Sequence, residues 1–161
     1  MPQPTVQKLI QGFNAHGERL PMLAAKRVVK VGKPAVPELL AALKTSPNVR
    51  IRRWSAYTLR FIPDTRALTP LKNALHDPNM SVRLLAMESL EAAHARVAGK
   101  HILPLLSDES GGVRVRALGC LIRLRYRPAL KKFKALARDE KDYVRKAAAE
   151  GLKFLKVSSK K

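Results

Sequence analysis

The sequence predicts an all-α fold, a right-handed α-solenoid of about five antiparallel helix pairs, and three observations support this prediction. A fourteen-residue segment recurs four times at a period of 31 residues without an insertion, at 46–59, 77–90, 108–121 and 139–152. Each copy carries an apolar stripe at helical spacing. Each copy also follows a polar turn and a shorter apolar segment, so one repeat contains a helix, a turn and a longer helix.

The recurring segments predict the second helix of each pair, because apolar or small residues at offsets 0, 4, 8 and 11 share one helical stripe. The four columns are Ile51, Val82, Val113 and Val144; Ser55, Ala86, Ala117 and Ala148; Leu59, Leu90, Leu121 and Leu152; and Ile62, Ala93, Leu124 and Leu155. One helix pair cannot bury such a stripe alone, so neighbouring pairs must stack. The residues that we expect to be buried are Ile51, Leu59, Leu90, Val113, Leu121 and Leu152.

A polar turn precedes each second helix. The first turn residues are Ser46, Asp77, Asp108 and Asp139. Ser and Asp are typical of helix starts, because their side-chain oxygens accept hydrogen bonds from free backbone amides. The shorter apolar segments upstream of these turns predict the first helices, at 36–43, 68–75, 101–106 and 129–137.

A weaker copy precedes these four. Leu20, Ala24 and Val28 occupy its stripe, and Pro21 stands where the later copies have arginine; residues 5–16 can supply its first helix. The predicted organisation is therefore one repeat domain over 1–157, with repeats near 3–33, 34–64, 65–95, 96–126 and 127–157, followed by a basic tail over 158–161.

The pattern V-R-x-x-A-x-x-x-L after a turn, in a helix pair of this length, resembles the HEAT repeat, and most closely the short repeats of phycobilisome-lyase-like proteins. The resemblance covers nearly the whole chain from Leu20 onward, with Ser55 in place of alanine and Pro21 in place of arginine as departures. It implies the solenoid fold. It does not choose a function, because HEAT-like arrays serve as scaffolds, as nucleic-acid binders and occasionally as enzymes.

Charge narrows the range of possible functions. The chain has 32 Lys and Arg residues against 12 Asp and Glu residues, a net charge of +20. Such an imbalance favours a polyanionic partner. We therefore expect a non-enzymatic, monomeric protein without a cofactor that binds nucleic acid, either DNA or RNA, or a ribonucleoprotein through phosphate contacts. The alternative is a protein–protein interaction scaffold for an acidic partner.

Two classes of basic residue are distinguished. The column Arg52, Arg83, Arg114 and Arg145 belongs to the repeat pattern, and we expect it to bridge turn acids and join repeats. The predicted binding residues lie outside that pattern: they are the second-helix pairs Arg53 and Arg60, Arg116 and Arg123, and Lys146 and Lys153, together with the clusters Lys26, Arg27 and Lys30, and Lys131, Lys132 and Lys134. Positions i and i+7 share a helix face. The middle repeat, 65–95, has as many acids as bases and is a neutral waist.

Trp54, Tyr57 and Phe61 lie beside Arg53 and Arg60, where helical spacing favours packing between repeats over base stacking. The lone Cys120 occupies a column of small residues, with Thr58, Ser89 and Gly151, and is expected to pack where helices approach closely.

Catalysis is not expected, because most carboxylates lie in or beside turns and the four histidines form no metal-binding spacing. A HEAT-like DNA glycosylase would need an acid near its aromatics, but Thr58 stands four residues beyond Trp54. A bilin-lyase-like role is left as a less favoured alternative, because no residue set indicates a chromophore pocket. The chain has no run approaching 18 apolar residues and no signal-peptide pattern at its start, so we expect a cytoplasmic protein and no membrane partner.

Overall fold

The computed structural model describes residues 4–157, and within this range the chain forms ten α-helices and no β-strand. The helices are α1 Val6–Gln11, α2 Arg19–Val31, α3 Val36–Thr45, α4 Val49–Leu59, α5 Leu68–Ala74, α6 Met80–Ala93, α7 Ala95–Ile102, α8 Gly111–Arg123, α9 Leu130–Leu136 and α10 Asp142–Val157. The prediction of an all-α fold of helix pairs is confirmed. The predicted basic tail, 158–161, lies outside the described residues.

The helices divide into two compact units between His94 and Ala95. Unit 1 contains three helix pairs, α1 with α2, α3 with α4, and α5 with α6. Unit 2 contains the pairs α7 with α8 and α9 with α10. The organisation as one domain over 1–157 stays a prediction.

The turns before the second helices differ in detail from the expectation. Asn48 and Asn79, not Ser46 and Asp77, are the N-cap residues of α4 and α6, and their side chains accept hydrogen bonds from backbone amides of the first turn. Ser46 and Asp77 stand two residues earlier. The Ser46 hydroxyl and the Asp77 carboxylate accept the backbone N–H groups of Asn48 and Asn79 at 3.2 and 2.8 Å, so they close the turn that leads into the helix.

The predicted apolar stripe is buried in the internal repeats. Ile51, Leu59, Leu90, Val113 and Leu121 are all less than 9% exposed, as expected. Leu152 is an exception and is only half-buried. It lies in α10, the last helix of unit 2, and no further described helix follows to cover it.

The first repeat also departs from the predicted register. Leu20 is 58% exposed, whereas Pro21, one position later, is buried. The stripe of α2 that is covered contains Pro21, Ala25 and Val28, because α1, the 3₁₀ turn Gly12–Asn14 and α4 all pack against this helix and leave the Leu20 side uncovered.

The first helix of the fourth repeat begins earlier than the sequence suggests. The predicted segment was 101–106, but α7 spans Ala95–Ile102 and the following Leu103–Ser107 forms a 3₁₀ turn. Pro104 explains the break, because its ring removes a backbone N–H and excludes the α-helical hydrogen bond at that position.

The column that contains Cys120 is one of close helix approach, as predicted. Thr58, Ser89 and Cys120 are each 0% exposed. At the fourth position, Gly151, an added Cβ would lie 2.8 Å from a ring carbon of Phe133. Larger side chains in this column would therefore force the helices apart.

Arg52 and Arg114 join neighbouring repeats, as predicted for their column, whereas Arg145 pairs with Asp142 of its own helix. In unit 1, Arg52 donates to both carboxylate oxygens of Asp77 in the next repeat, at 2.8 and 3.1 Å, and to the carbonyls of Ser46 and Pro47 in its own turn. In unit 2, Arg114 donates to Asp139 at 2.8 Å and to the carbonyl of Asp108 at 2.8 Å. Each guanidinium therefore links two successive turns.

The ion pair of Arg114 and Asp139 is largely withdrawn from solvent, with side chains 8% and 7% exposed. Burial by itself would raise the pKa of Asp139, but the hydrogen bonds from Arg114 and from the Lys141 backbone outweigh it, so this pKa is lowered from its usual value. The folded state therefore stabilises the charged form of the Asp139 carboxylate.

Removing the side chain of Leu90 should destabilise the protein strongly, since Leu90 is 0% exposed in a helix that packs against both α4 and α5. We expect Leu90→Ala to lower the free energy of unfolding by about 2–5 kcal/mol in urea denaturation. Leu20→Ala is the control, and at an exposed site it should change stability by less than about 1 kcal/mol. Equal stability of the Leu90 variant and the wild type would contradict the buried stripe.

Stability should depend on the charge of Asp139. Because its folded pKa is depressed, the stabilisation is fully present above the unfolded pKa, about 3.9, and is lost as pH falls through the folded pKa. Asp139→Asn should therefore cost on the order of 3 kcal/mol at pH 7. Between about pH 5 and pH 2 the variant should lose less stability than the wild type. Parallel pH profiles for the two proteins would show that this pair contributes nothing.

Candidate protein-binding surface

A row of aromatic rings runs outward along α4 and ends just beyond it, in unit 1. Trp54 is 4% exposed, and its ring centroid lies 6.5 Å from that of Phe13 in the first repeat. Tyr57 stands edge-on to Trp54 at 5.0 Å, and Phe61 follows at 5.1 Å. Phe61 is 49% exposed, so the row begins in the core and ends at the surface. The predicted packing role is correct for Trp54, and Phe61 supplies an exposed aromatic group.

Arg53 and Arg60 flank this row, and both are already engaged with neighbouring repeats. Arg53 donates to the two oxygens of Glu18 at 2.6 and 2.7 Å and lies 5.4 Å from the centroid of the Trp54 ring. Arg60 pairs with Glu88 at 3.4 Å and lies over Phe61. These arginines therefore form a surface of paired charges and rings, not a row of unpaired cations. Aromatic and arginine side chains of this kind are enriched at the centres of protein interfaces.

Sequence reasoning missed the carboxylates in this arrangement. Glu18 lies 35 residues before Arg53, and Glu88 lies 28 residues after Arg60. These separations differ from each other and from the repeat period of 31, so column-by-column comparison gives no signal for either pair. Only the packed positions of three successive second helices bring them together.

The predicted residues of unit 2 lie on α8 and α10. Arg116, Arg123, Lys146 and Lys153 are exposed. Arg123 is within 3.3 Å of the Cys120 sulfur, and Lys146 pairs with Asp142 at 2.8 Å. The unit thus presents cations on both of its second helices, and part of this charge is compensated within the same helix.

The two predicted lysine-rich clusters occupy different kinds of helix. Lys26, Arg27 and Lys30 are exposed on α2, a second helix. The cluster Lys131, Lys132 and Lys134 is on α9, a first helix. In that cluster Lys132 is half-buried and donates to the Ser107 hydroxyl at 3.3 Å.

A groove with a volume of about 500 Å³ lies on the turn side of unit 1. Its floor includes Arg52 and Asp77, whose charges already satisfy each other. Among residues 4–157, no cluster of three or more His, Cys, Asp or Glu side chains is arranged to hold a metal ion. Within the same range, none of the helices has the length and apolar character that crossing a membrane requires.

Stacked helix pairs joined by arginine and a turn carboxylate define the class of this protein, a helical-repeat protein. A family model described as HEAT repeats matches residues 6–91. The chain belongs to the HEAT-repeat family, as its sequence pattern predicted.

Two comparisons relate the chain to bilin proteins. It is 38% identical over 63 residues to the bilin biosynthesis protein MpeU of Synechococcus sp. (strain WH8020), which is 39% of this chain and 21% of MpeU. The chain thus spans about a fifth of that relative's length. It also matches a chain in the structure of the complex of CpcE and CpcF of phycocyanin lyase from Nostoc sp. PCC7120, with a TM-score of 0.77 and 27% identity over 91% of this chain and 96% of that chain.

A third likeness concerns the fold alone. A designed armadillo repeat protein in complex with the peptide (KR)4 superposes with a TM-score of 0.60 at 15% identity, covering 93% of this chain and 81% of that one. It supports the α-solenoid class and no particular function.

The prediction of nucleic-acid or ribonucleoprotein binding is wrong, because these relatives are proteins of a phycocyanin lyase and of bilin biosynthesis. A high positive net charge favours anionic partners in general, but it does not distinguish a phosphate backbone from a carboxylate-rich protein. Pairing of Arg53 and Arg60 with Glu18 and Glu88 also leaves them poorly suited to phosphate contacts. The related structure is a complex of two proteins, and its name, phycocyanin lyase, is at odds with the expectation of a purely non-enzymatic role.

Neighbouring arginines of α4 should differ in their contribution to stability. Arg52 is 13% exposed and binds both oxygens of Asp77, so Arg52→Ala should cost on the order of 3 kcal/mol. Arg53 is 27% exposed and its partner Glu18 is 56% exposed, so Arg53→Ala should cost less than about 1 kcal/mol. Chemical denaturation of the two variants measures the difference. A larger loss for Arg53→Ala would show that the ion pair with Glu18, not the one with Asp77, ties the repeats.

Proposed function

We propose that this chain is a protein-binding HEAT-repeat subunit of a bilin-lyase-like complex, in which it binds an acidic protein partner. The observation that carries this proposal is the match to a phycocyanin lyase chain, at 27% identity over 96% of that chain. The likeness therefore extends over a whole subunit, and that subunit comes from a complex of two proteins. MpeU supports the bilin connection over one segment only, since 21% of its length is matched.

Charge supports the acidic character of the partner. The net charge of +20 would make association with a second basic protein unfavourable, whereas carboxylates on a partner would be attracted over several ångströms. In this proposal, the predicted site residues are cations that contact an acidic protein instead of a nucleic acid. Those that lie exposed include Lys26, Arg27, Lys30, Arg116, Lys131, Lys134 and Lys153.

We place the chain's contribution in binding, not in bond making. The turn carboxylates Asp77 and Asp139 accept hydrogen bonds from arginine and from backbone amides, so they are occupied as structural groups. Cys120 is buried, and its thiol is remote from solvent. A free buried thiol is also compatible with the cytoplasmic location predicted from the sequence.

Titration of the purified chain with two defined proteins tests this function: CpcF of Nostoc sp. PCC7120 and apo-phycocyanin. We expect a dissociation constant near or below about 10 μM for at least one of them by calorimetry. Raising the salt from about 50 to about 200 mM should weaken binding, because part of the attraction is between exposed charges. The variant Lys131→Glu with Lys134→Glu should weaken it further, while Lys131→Arg with Lys134→Arg is the matched control.

Failure of both proteins to bind below about 100 μM would exclude the proposed function. A short DNA duplex, present as competitor, should leave the protein complex intact at about 150 mM salt. Displacement of the protein by an equimolar duplex would contradict the assignment of a protein partner.

A further inference from the structure

One side of α2 exposes an apolar stripe. Leu20, Leu23 and Val31 are 58%, 45% and 40% exposed, and Arg27 lies between them on the same stripe. Spacings of 3, 7 and 11 residues from Leu20 place all four side chains on one side of the helix. We call these four residues the α2 end face.

The corresponding residues one repeat later are buried. Moving forward by the repeat period of 31 residues gives Ile51, Trp54 and Ile62, which are 8%, 4% and 4% exposed. The same apolar column is therefore covered in the second repeat and uncovered in the first.

Contacts of α4 show what covers this column. Trp54 packs against Phe13 of the first repeat, and the guanidinium of Arg50 donates to the carbonyl of Gly17 at 2.7 Å. Ile51 lines a groove together with Ile10 of α1. These partners all precede α4 in the chain, so the column faces the preceding repeat.

The column that contains Arg27 also faces the preceding repeat. Arg27 occupies the column of Thr58 and Ser89, and the Ser89 hydroxyl donates to the Ala56 carbonyl of the preceding second helix at 2.7 Å. Arg27 therefore points to where a preceding second helix would lie. The opposite side of α2, on which α1, the 3₁₀ turn Gly12–Asn14 and α4 pack, is covered, since Ala25 and Val28 are 2% and 0% exposed.

The α2 end face thus has the apolar character of a repeat-stacking surface, with one charged side chain at its centre. A helix that covered it would bury Arg27, and a buried guanidinium requires a carboxylate partner. Each repeat junction of unit 1 instead has Thr58 or Ser89 at this position, and neither needs a counter-charge. The occupant consequently differs from the repeats of this chain by an acidic residue opposite Arg27.

We propose that the α2 end face binds a helical repeat of an acidic partner protein, stacked on α2 as each internal repeat stacks on the one before it. A second copy of this chain is disfavoured, because each copy carries a net charge of +20 and the exposed Lys26 and Lys30 flank the face. The proposal rests on the proposed function for the partner's acidic character. The repeat geometry supports the face itself independently.

Binding to CpcF of Nostoc sp. PCC7120 is the first test, and it uses matched charge insertions. Leu20→Glu combined with Leu23→Glu should weaken the wild-type affinity about a hundredfold, because it places two carboxylates in an apolar contact. Met80→Glu is the control, since Met80 is 48% exposed at the start of α6, and it should change affinity less than about threefold. Arg27→Glu should weaken binding at least about tenfold, whereas Arg27→Lys should restore most of it. Unchanged affinity in the Leu20 and Leu23 variant, with the wild type bound, would overturn the location.

The second test does not need the partner. A copy of residues 34–64 is inserted between residues 2 and 3 of the full chain, which preserves the period of 31. If the α2 end face accepts a stacked repeat, the melting temperature should rise by about 5 °C. Leu20→Glu with Leu23→Glu should abolish this rise. Ala56→Glu made only in the inserted copy, opposite Arg27, should preserve or increase it.

If the inserted copy of residues 34–64 does not raise the melting temperature, the proposal is overturned even where CpcF binds. If neither CpcF nor apo-phycocyanin binds, the proposed function is excluded. The melting temperature of the protein with the inserted repeat then tests the α2 end face by itself. Light scattering of the unmodified chain identifies the remaining occupant. We expect the monomer mass up to about 100 μM at about 150 mM salt, and a dimer that Leu20→Glu dissociates would replace the acidic partner by a second copy.

Discussion

The bridge from a repeat arginine to the next repeat's turn aspartate is the interaction on which the rest of this structure depends. Arg52 contacts its own turn through the Ser46 carbonyl and the next turn through Asp77. Asp77 in turn accepts the backbone N–H of Asn79, which caps the following helix. One guanidinium therefore sets the spacing of two turns and the start of two helices. Arg114 and Asp139 repeat this arrangement in unit 2.

This bridge is one of several ion pairs that engage the few acidic residues of the chain. The chain has only 12 acidic residues, and many of them are used in ion pairs with its own cations. These acids include Glu18, Asp64, Asp77, Glu88, Asp139, Glu140 and Asp142. At Asp64, the hydrogen bonds from the Arg66 side chain and backbone lower the pKa to about 2. Because cations outnumber acids by 20, positive charge remains on the exposed faces after these pairs have formed, and the proposed acidic partner would meet this charge.

Inside unit 1, each second helix after the first has its apolar column covered by the preceding repeat. The same column on α2 has no described repeat in front of it and is exposed. Trp54 is protected because Phe13 lies in front of it, whereas Leu23 in the equivalent column has no described helix in front of it. The physical cost of an uncovered apolar column is exposure of side chains that the internal repeats bury. A partner repeat could bind the α2 end face by the same packing that joins the internal repeats, because the face already has the shape of a repeat-stacking surface. Arg27 supplies the one element of selectivity, a charge that must be matched.

From the sequence alone, the period of 31 residues and the columns of Leu90 and Arg114 determined the helix pairs, the buried stripe and the linking role of the arginines. Those features depend on residues at constant separations, so a periodic pattern contains them. The tertiary structure decided which side of each helix is covered and which charges are paired. Arg53 finds Glu18 across 35 residues, and Leu20 is exposed although it shares the column of Ile51. Both outcomes follow from which helix packs against which, and a column of similar residues is the same whether or not a neighbour stands in front of it.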